Sequence, residues 1–489
     1  MAGIGFELRK TLSRRTFTAY VRAYMAALAY ASGPWICTIF ALGGIVALAR
    51  TFLDSVIVEQ FTVTTVYVYA FSLLLSGPFQ IVTTRYVSDR LYEKKEELIA
   101  PGITTALGLI AILSIVVGAT CSYFANLPQA LELSAVFLFC LVNCLWIVMS
   151  YISCLKNYRL VTAAFVLGMT MAWGAALALA HVVPYPLLGL IWGYTAGHMF
   201  IFIVLVFVSF RELHGDWGIS RDYLKYISSF PLLLLVGLLT NLAIWIDKFV
   251  IWGFHGTAVW GLFLFYPPYD IPAYLAYLTA IPSTAFFLIK VETHFAEHYE
   301  RFIASLLDAP AAVVEQRKRD MIDGLRAGIV QLLTFQGVIT LVFIMVAPKL
   351  LNRLWLGNCP PMLFRTLLVA AYCHFAFLHI IIFLMYFDKR RHLVALLFIF
   401  VLLSGVGSFY VAKIGTVAHF GLGYMGAAAL SAALAGAVLF IKVEEADGDI
   451  LFMQPLLDAR GEVIEFKECS DDTYGGRVLL DTSGVSVQR

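Results

Sequence analysis

The chain has 489 residues, of which 61% are hydrophobic and 13% charged, with a formal net charge of +2 and a mean hydropathy of +0.84. A soluble domain carries roughly 25% charged residues, so a water-soluble globule is excluded, and the near-balanced charge offers no footing for nucleic acid. The apolar segments are unbroken runs of about 20 residues or more, which excludes a β-barrel of short alternating strands.

In chain order the predicted spans are 23–49, 61–84, 98–124, 131–153, 160–181 and 187–210, then 227–252, 259–289, 325–347, 362–386, 393–411 and 420–441. Each crosses a hydrocarbon core of about 30 Å at about 1.5 Å per helical residue. The expected fold is an all-α integral membrane protein of about twelve transmembrane helices in two six-helix bundles. The bundles occupy 1–210 and 227–442, joined by a polar connection at 211–226; the second carries a charged loop at 290–326, and a polar tail follows at 443–489. Of the 34 Lys and Arg, 28 lie on the side of the two termini, against four on the other: Arg50, Lys349, Arg353 and Lys413. Because positive loops stay inside, both termini are expected in the cytoplasm. The N-terminus lacks the short apolar region of a cleavable signal and is expected to remain attached.

Prolines interrupt several spans: Pro34 in the first, Pro78 in the second, and Pro267, Pro268 and Pro272 in the eighth. Irregular backbone at membrane depth is tolerated where it lines a path, although single proline kinks also serve ordinary packing. On the eighth span Tyr266, Asp270, Tyr274 and Tyr277 recur at helical spacing and predict one polar-aromatic stripe suited to the faces and hydroxyls of a sugar. An interfacial tyrosine belt is the competing reading, but Asp270 lies too deep for it. On the seventh span Lys248 shares a predicted face with Asn241, Trp245 and Trp252, either lining the path or snorkelling to the outer surface. Arg85 closes the second span and is a candidate for the inner mouth. The run Arg317, Lys318, Arg319 lies in the charged loop, expected to form one or two surface helices that are solvated or dock a partner.

Several absences bear on mechanism. No Asp or Glu lies inside predicted spans one, two, three, five or six, which disfavours a cation-coupled carboxylate in the first bundle. Nor does the sequence cluster Lys and Arg at membrane depth as a lipid pyrophosphate would require. The scattered histidines His181, His198, His374, His379 and His419 are expected to be structural or interfacial. Cys140 and Cys144 share a helical face without a histidine or carboxylate to complete a ligand set, so neither a metal nor a cofactor is expected. No enzyme motif competes, which favours a transporter over an enzyme.

The segments Gly3–Lys10, Ser32–Trp35, Ser76–Tyr92 and Asn241–Phe249 resemble the PelG family, the inner-membrane component of bacterial Pel exopolysaccharide secretion. That family is similar in plan to the multidrug/oligosaccharidyl-lipid/polysaccharide exporter superfamily. The resemblance implies translocation of a galactosamine-rich polysaccharide during biofilm matrix production. It also implies a cytosolic PelF-like glycosyltransferase and PelD-like and PelE-like membrane partners. A flippase or exporter for lipid-linked oligosaccharide or drugs, and a non-transporting scaffold for a synthase, remain open.

Overall fold

A computed structural model describes residues 16–154, 158–212, 218–353 and 359–445, and a short antiparallel pair, β3 (Leu479–Leu480) with β4 (Ser486–Val487). The Gly3–Lys10 motif and most of the tail lie outside the described residues. Among the described residues, twelve helical runs are long and apolar enough to span a membrane. In lipid each must satisfy its backbone internally, which is why the apolar runs fold as helices.

The first lobe contains α1 (Phe17–Ala49), α2 (Ser55–Tyr92), α3 (Ile99–Phe124), α4 (Gln129–Cys154), α5 (Tyr158–Val182) and α6 (Pro186–Glu212). A short amphipathic helix, α7 (Arg221–Ser229), lies in the connection, capped by the Ser220 hydroxyl accepting from the Tyr223 N–H at 3.1 Å. The second lobe begins with α8 (Pro231–His255), followed by a hairpin of β1 (Thr257–Trp260) and β2 (Phe263–Phe265). Span eight is segmented into α9 (Pro267–Leu278), α10 (Ile281–Phe286), a π-helical turn at Phe287–Glu292, and α11 (Thr293–Asp308). The lobe ends with α12 (Ala311–Arg353), α13 (Pro361–Tyr386), α14 (Arg390–Ile414) and α15 (Leu422–Glu444). The helices α6, α8, α9 and α13 each begin with proline, where its missing N–H costs nothing.

The two lobes repeat one packing scheme. In the first, α1 packs on α5, α2 and α3 on α4, and α4 and α5 on α6. In the second, α8 packs on α14, α9 and α12 on α13, and α13 and α14 on α15. The lobes meet along two seams related by the same repeat, α2 with α8 and α1 with α10 and the π turn.

One expectation is corrected. Residues 259–266 were expected at the start of a transmembrane helix but fold as the hairpin and its exit, because Gly261 turns the chain in the left-handed region (φ 38°) and Pro267 starts the helix afresh. The charged loop at 290–326 is helical almost throughout, α11 and the first turns of α12 forming a helical pair that continues both spans. At its exposed edge Arg319 pairs with Glu315 at 3.0 Å.

Candidate interlobe path

Segmenting span eight disperses the predicted stripe. Tyr266 precedes the helix and packs beside His255 and Phe420, with ring centroids 5.8 and 6.2 Å away. The Asp270 carboxylate accepts from Trp252 Nε1–H at 2.8 and 3.0 Å and from the Tyr266 N–H at 3.0 Å. It therefore ties α8 to the first turn of α9 and sits at the helix N-terminus, where negative charge is favoured. Tyr274 is 44% exposed. Tyr277 turns into its own lobe, where its hydroxyl meets His374 Nδ1 at 2.9 Å and also bonds Tyr424. The four residues do not share one surface, because Tyr266 is outside the helix and the other three serve different partners.

Lys248 does not snorkel. Its Nζ donates to the Ile244 carbonyl at 2.9 Å and to both Asp247 oxygens at 3.2 Å, and lies 5.2 Å and 5.7 Å over the rings of Tyr277 and Tyr424. Asp247 also accepts from the Tyr269 hydroxyl at 2.7 Å. The pair is buried, and its geometry is made by three helices that sequence spacing alone does not bring together. Trp245 stacks along α8 with Phe249, and its buried Nε1–H has no hydrogen-bond partner among the described residues. Asn241 donates to the Gly237 carbonyl at 2.9 Å, and its amide group lies beside Gly77 at the α2–α8 crossing.

The first lobe answers with its own polar node. The Tyr69 hydroxyl bonds Tyr194 and His198 Nε2, each at 2.7 Å. A Tyr–Tyr–His cluster thus occurs in each lobe; Tyr194 and His198 stand four residues apart on α6, while the other members come from separate helices. Trp35, next to Pro34 and half exposed, faces Trp146 with ring centroids 6.2 Å apart, and Trp146 donates to the Ser72 hydroxyl at 3.1 Å.

At the end of the lobes that carries α7, Arg85 Nη1 pairs with Asp388 across the interlobe boundary at 3.2 Å. Asp388 also holds Arg390 at 2.6 Å, and the Arg390 guanidinium lies 4.7 Å over the Phe230 ring. Tyr226 of α7 donates to Asp89 at 2.5 Å. Burial, reinforced by that carboxylate, raises the Tyr226 phenol above its ordinary range, so it remains a donor. Pro78 lies at the α2–α8 crossing; Pro267 and Pro268 open α9, and Pro272 lies within it.

Two lobes of six spans, each with a polar node, bridged at one end by the Arg85–Asp388 ion pair, define a two-lobed membrane transporter. The chain belongs to the PelG family: its profile, described as "PelG: Putative exopolysaccharide Exporter (EPS-E)", matches residues 1–448. No curated protein matches the chain. Among solved structures, an outward-facing multidrug resistance MATE family transporter of the MOP superfamily aligns with a TM-score of 0.62 at 12% identity, covering 87% of this chain and 96% of that one. An inward-facing conformation of such a transporter gives 0.54 at 12% identity over 86% and 95%. A MOP superfamily transporter from Pyrococcus furiosus gives 0.56 at 13% over 86% and 96%. The fold is thus that of the MATE-type transporters, and the chain is a multi-pass membrane protein of an exopolysaccharide exporter family.

Proposed function

We propose that this protein passes a nascent, galactosamine-rich Pel-type exopolysaccharide across the bacterial inner membrane during biofilm matrix production. The PelG match over residues 1–448 carries the reading. The chemistry of the lobes supports it: Trp35 and Tyr274 offer exposed aromatic faces, which suit a neutral sugar chain. In this reading Asn241, Trp245, Tyr266 and Tyr274 border the path, Asp270, Lys248 and the inward-turned Tyr277 shape it, and Arg85 closes its inner end. Secretion of polymer detected by a galactosamine-directed lectin, lost on deletion and restored by the chain, tests the function.

The end carrying α7 and most basic residues is assigned to the cytoplasm, placing both termini there. A reporter placed after Arg391 is expected to read as cytoplasmic and one near Cys359 as external. Reversed signals would refute the orientation.

The pair formed by α11 and the start of α12 projects on that side and presents Arg317, Lys318 and Arg319 as a docking surface for a PelF-like glycosyltransferase, beside PelD-like and PelE-like membrane partners. Charge reversal of all three is expected to reduce glycosyltransferase co-purification about tenfold, the scale set by losing about 1.4 kcal/mol of binding, without altering membrane abundance. Undiminished recovery of the enzyme would place its docking elsewhere.

A further inference from the structure

The two interlobe seams are related by the internal repeat, yet they are built differently. Along α2 and α8 the lobes are fastened over most of the membrane depth. At the inner part Gly77 and Gly237 meet backbone to backbone, so closely that a Cβ on Gly237 would collide with the Gly77 carbonyl. Further out Phe71 faces Phe249 and Tyr67 faces Trp252, with centroids 5.5 and 5.1 Å apart.

The hairpin then crosses from the second lobe to the first. The Leu264 N–H donates to the Tyr67 hydroxyl at 2.8 Å, and that hydroxyl donates back to the Leu264 carbonyl at 3.0 Å. Phe263 stacks on Tyr67 at 4.4 Å, and both Phe263 and Trp260 pack against the core of the first lobe. At the tip Gly261 lies against the Ala125 carbonyl, where a side chain would not fit. Asp270 holds the base of this strap through the Tyr266 N–H and Trp252.

Among the described residues, the other seam is fastened in its inner half. Tyr24 donates to the Pro282 carbonyl at 2.8 Å and Ser32 bonds Thr284 at 2.8 Å. Ala23 and Ala27 pack with Ala285, Leu288 and Ile289. Beyond Pro34, α1 turns to its own lobe through Ala41, Ile45 and Ala49, while α9 packs on α8 and α13. The connection at 50–54, which the repeat relates to the hairpin, is a short turn capped by Asp54.

We infer that the α2–α8 seam, strapped by the 257–265 hairpin, is a fixed hinge, and that the hydroxyl-rich polymer leaves on the opposite side, between α1 beyond Pro34 and α9. The inference rests on the proposed function and orientation. It makes the hairpin a device that assigns the mouth to one side of a nearly symmetric pair of lobes, with Trp35 and Tyr274 on the two walls of that mouth.

Two experiments test it on the full chain. The first reads motion without substrate: spin labels on Leu48→Cys and Ile271→Cys report the mouth, and labels on Leu133→Cys and Leu262→Cys report the strap, in phospholipid nanodiscs. A broad or two-component mouth distribution beside a narrow strap distribution is expected; equal breadths, or a broader strap, overturn the inference. The second reads polymer secretion. Linking Leu262→Cys to the native Cys121, both on the wall of the same cavity, is expected to leave export within about twofold of the unlinked protein. A Ser32→Cys/Thr284→Cys disulfide is expected to cut export more than about tenfold, reversibly on reduction. Export stopped by the first link, or unaffected by the second, overturns the hinge assignment. If the unlinked protein secretes no polymer, the substrate reading fails while the spin-label result still decides the hinge.

Discussion

Asp270→Ala is expected to cut polymer export about tenfold or more while the protein still reaches the membrane. The carboxylate receives three N–H contacts from two groups, the Trp252 indole and the Tyr266 backbone. Removing it strands both donors in the first turn of α9, at a cost of about 1–3 kcal/mol for each buried donor left unmade. The first effect falls on the hairpin base and the start of α9, and thus on the geometry of the outer mouth. Asp270→Asn retains an acceptor oxygen for the Trp252 N–H but loses the charge at the helix N-terminus. It is therefore expected to recover most of the export lost in the alanine variant. Secretion and membrane abundance measured together decide the matter: wild-type export by Asp270→Ala removes the residue from the mechanism. Failure of both variants at normal abundance would instead make the charge itself indispensable.

Breaking the buried ion pair has the largest expected effect on stability. With Asp247→Ala, Lys248 stays in the lobe interior, its remaining close contacts being the Ile244 carbonyl and aromatic faces, with Asp270 and His374 at longer range. An uncompensated buried charge costs about 3–5 kcal/mol, so a marked fall in thermal stability in detergent is expected. Replacing both partners, Asp247→Ala with Lys248→Met, removes the stranded charge and is expected to recover most of that stability. Export by the stable double variant then separates two roles. Secretion below about a tenth of wild type would mean that the charge serves transport, as the path reading holds; full secretion would leave Lys248 a packing element. An equally unstable double variant would contradict the pairing argument.

Much of the architecture was legible in the amino-acid sequence. Twelve spans, two bundles, the PelG resemblance and the membrane location follow from long apolar runs and a few local motifs, because lipid leaves the backbone little choice but helix. The helical character of 290–326 was legible for a similar reason, its charged and apolar residues following the helical period. The stripe on span eight was less readable. Its spacing was counted through prolines that start a helix as readily as they bend one, and the hairpin before it replaced about two turns of the expected helix.

Side-chain partnership was decided by tertiary structure. Lys248 and Asp247 are neighbours in sequence whose helical directions differ by about 100°, yet a long flexible lysine side chain folds back onto the carboxylate. Tyr269 then fixes the same carboxylate from the first turn of a different helix. The Tyr–Tyr–His clusters, the Arg85–Asp388 bridge and the crossing of Gly77 with Gly237 each join residues far apart in the chain. By itself the sequence determined which segments enter the membrane, since hydropathy acts on each segment alone. Which seam is strapped was decided only in three dimensions, because it depends on where a short hairpin from one lobe lands on the other.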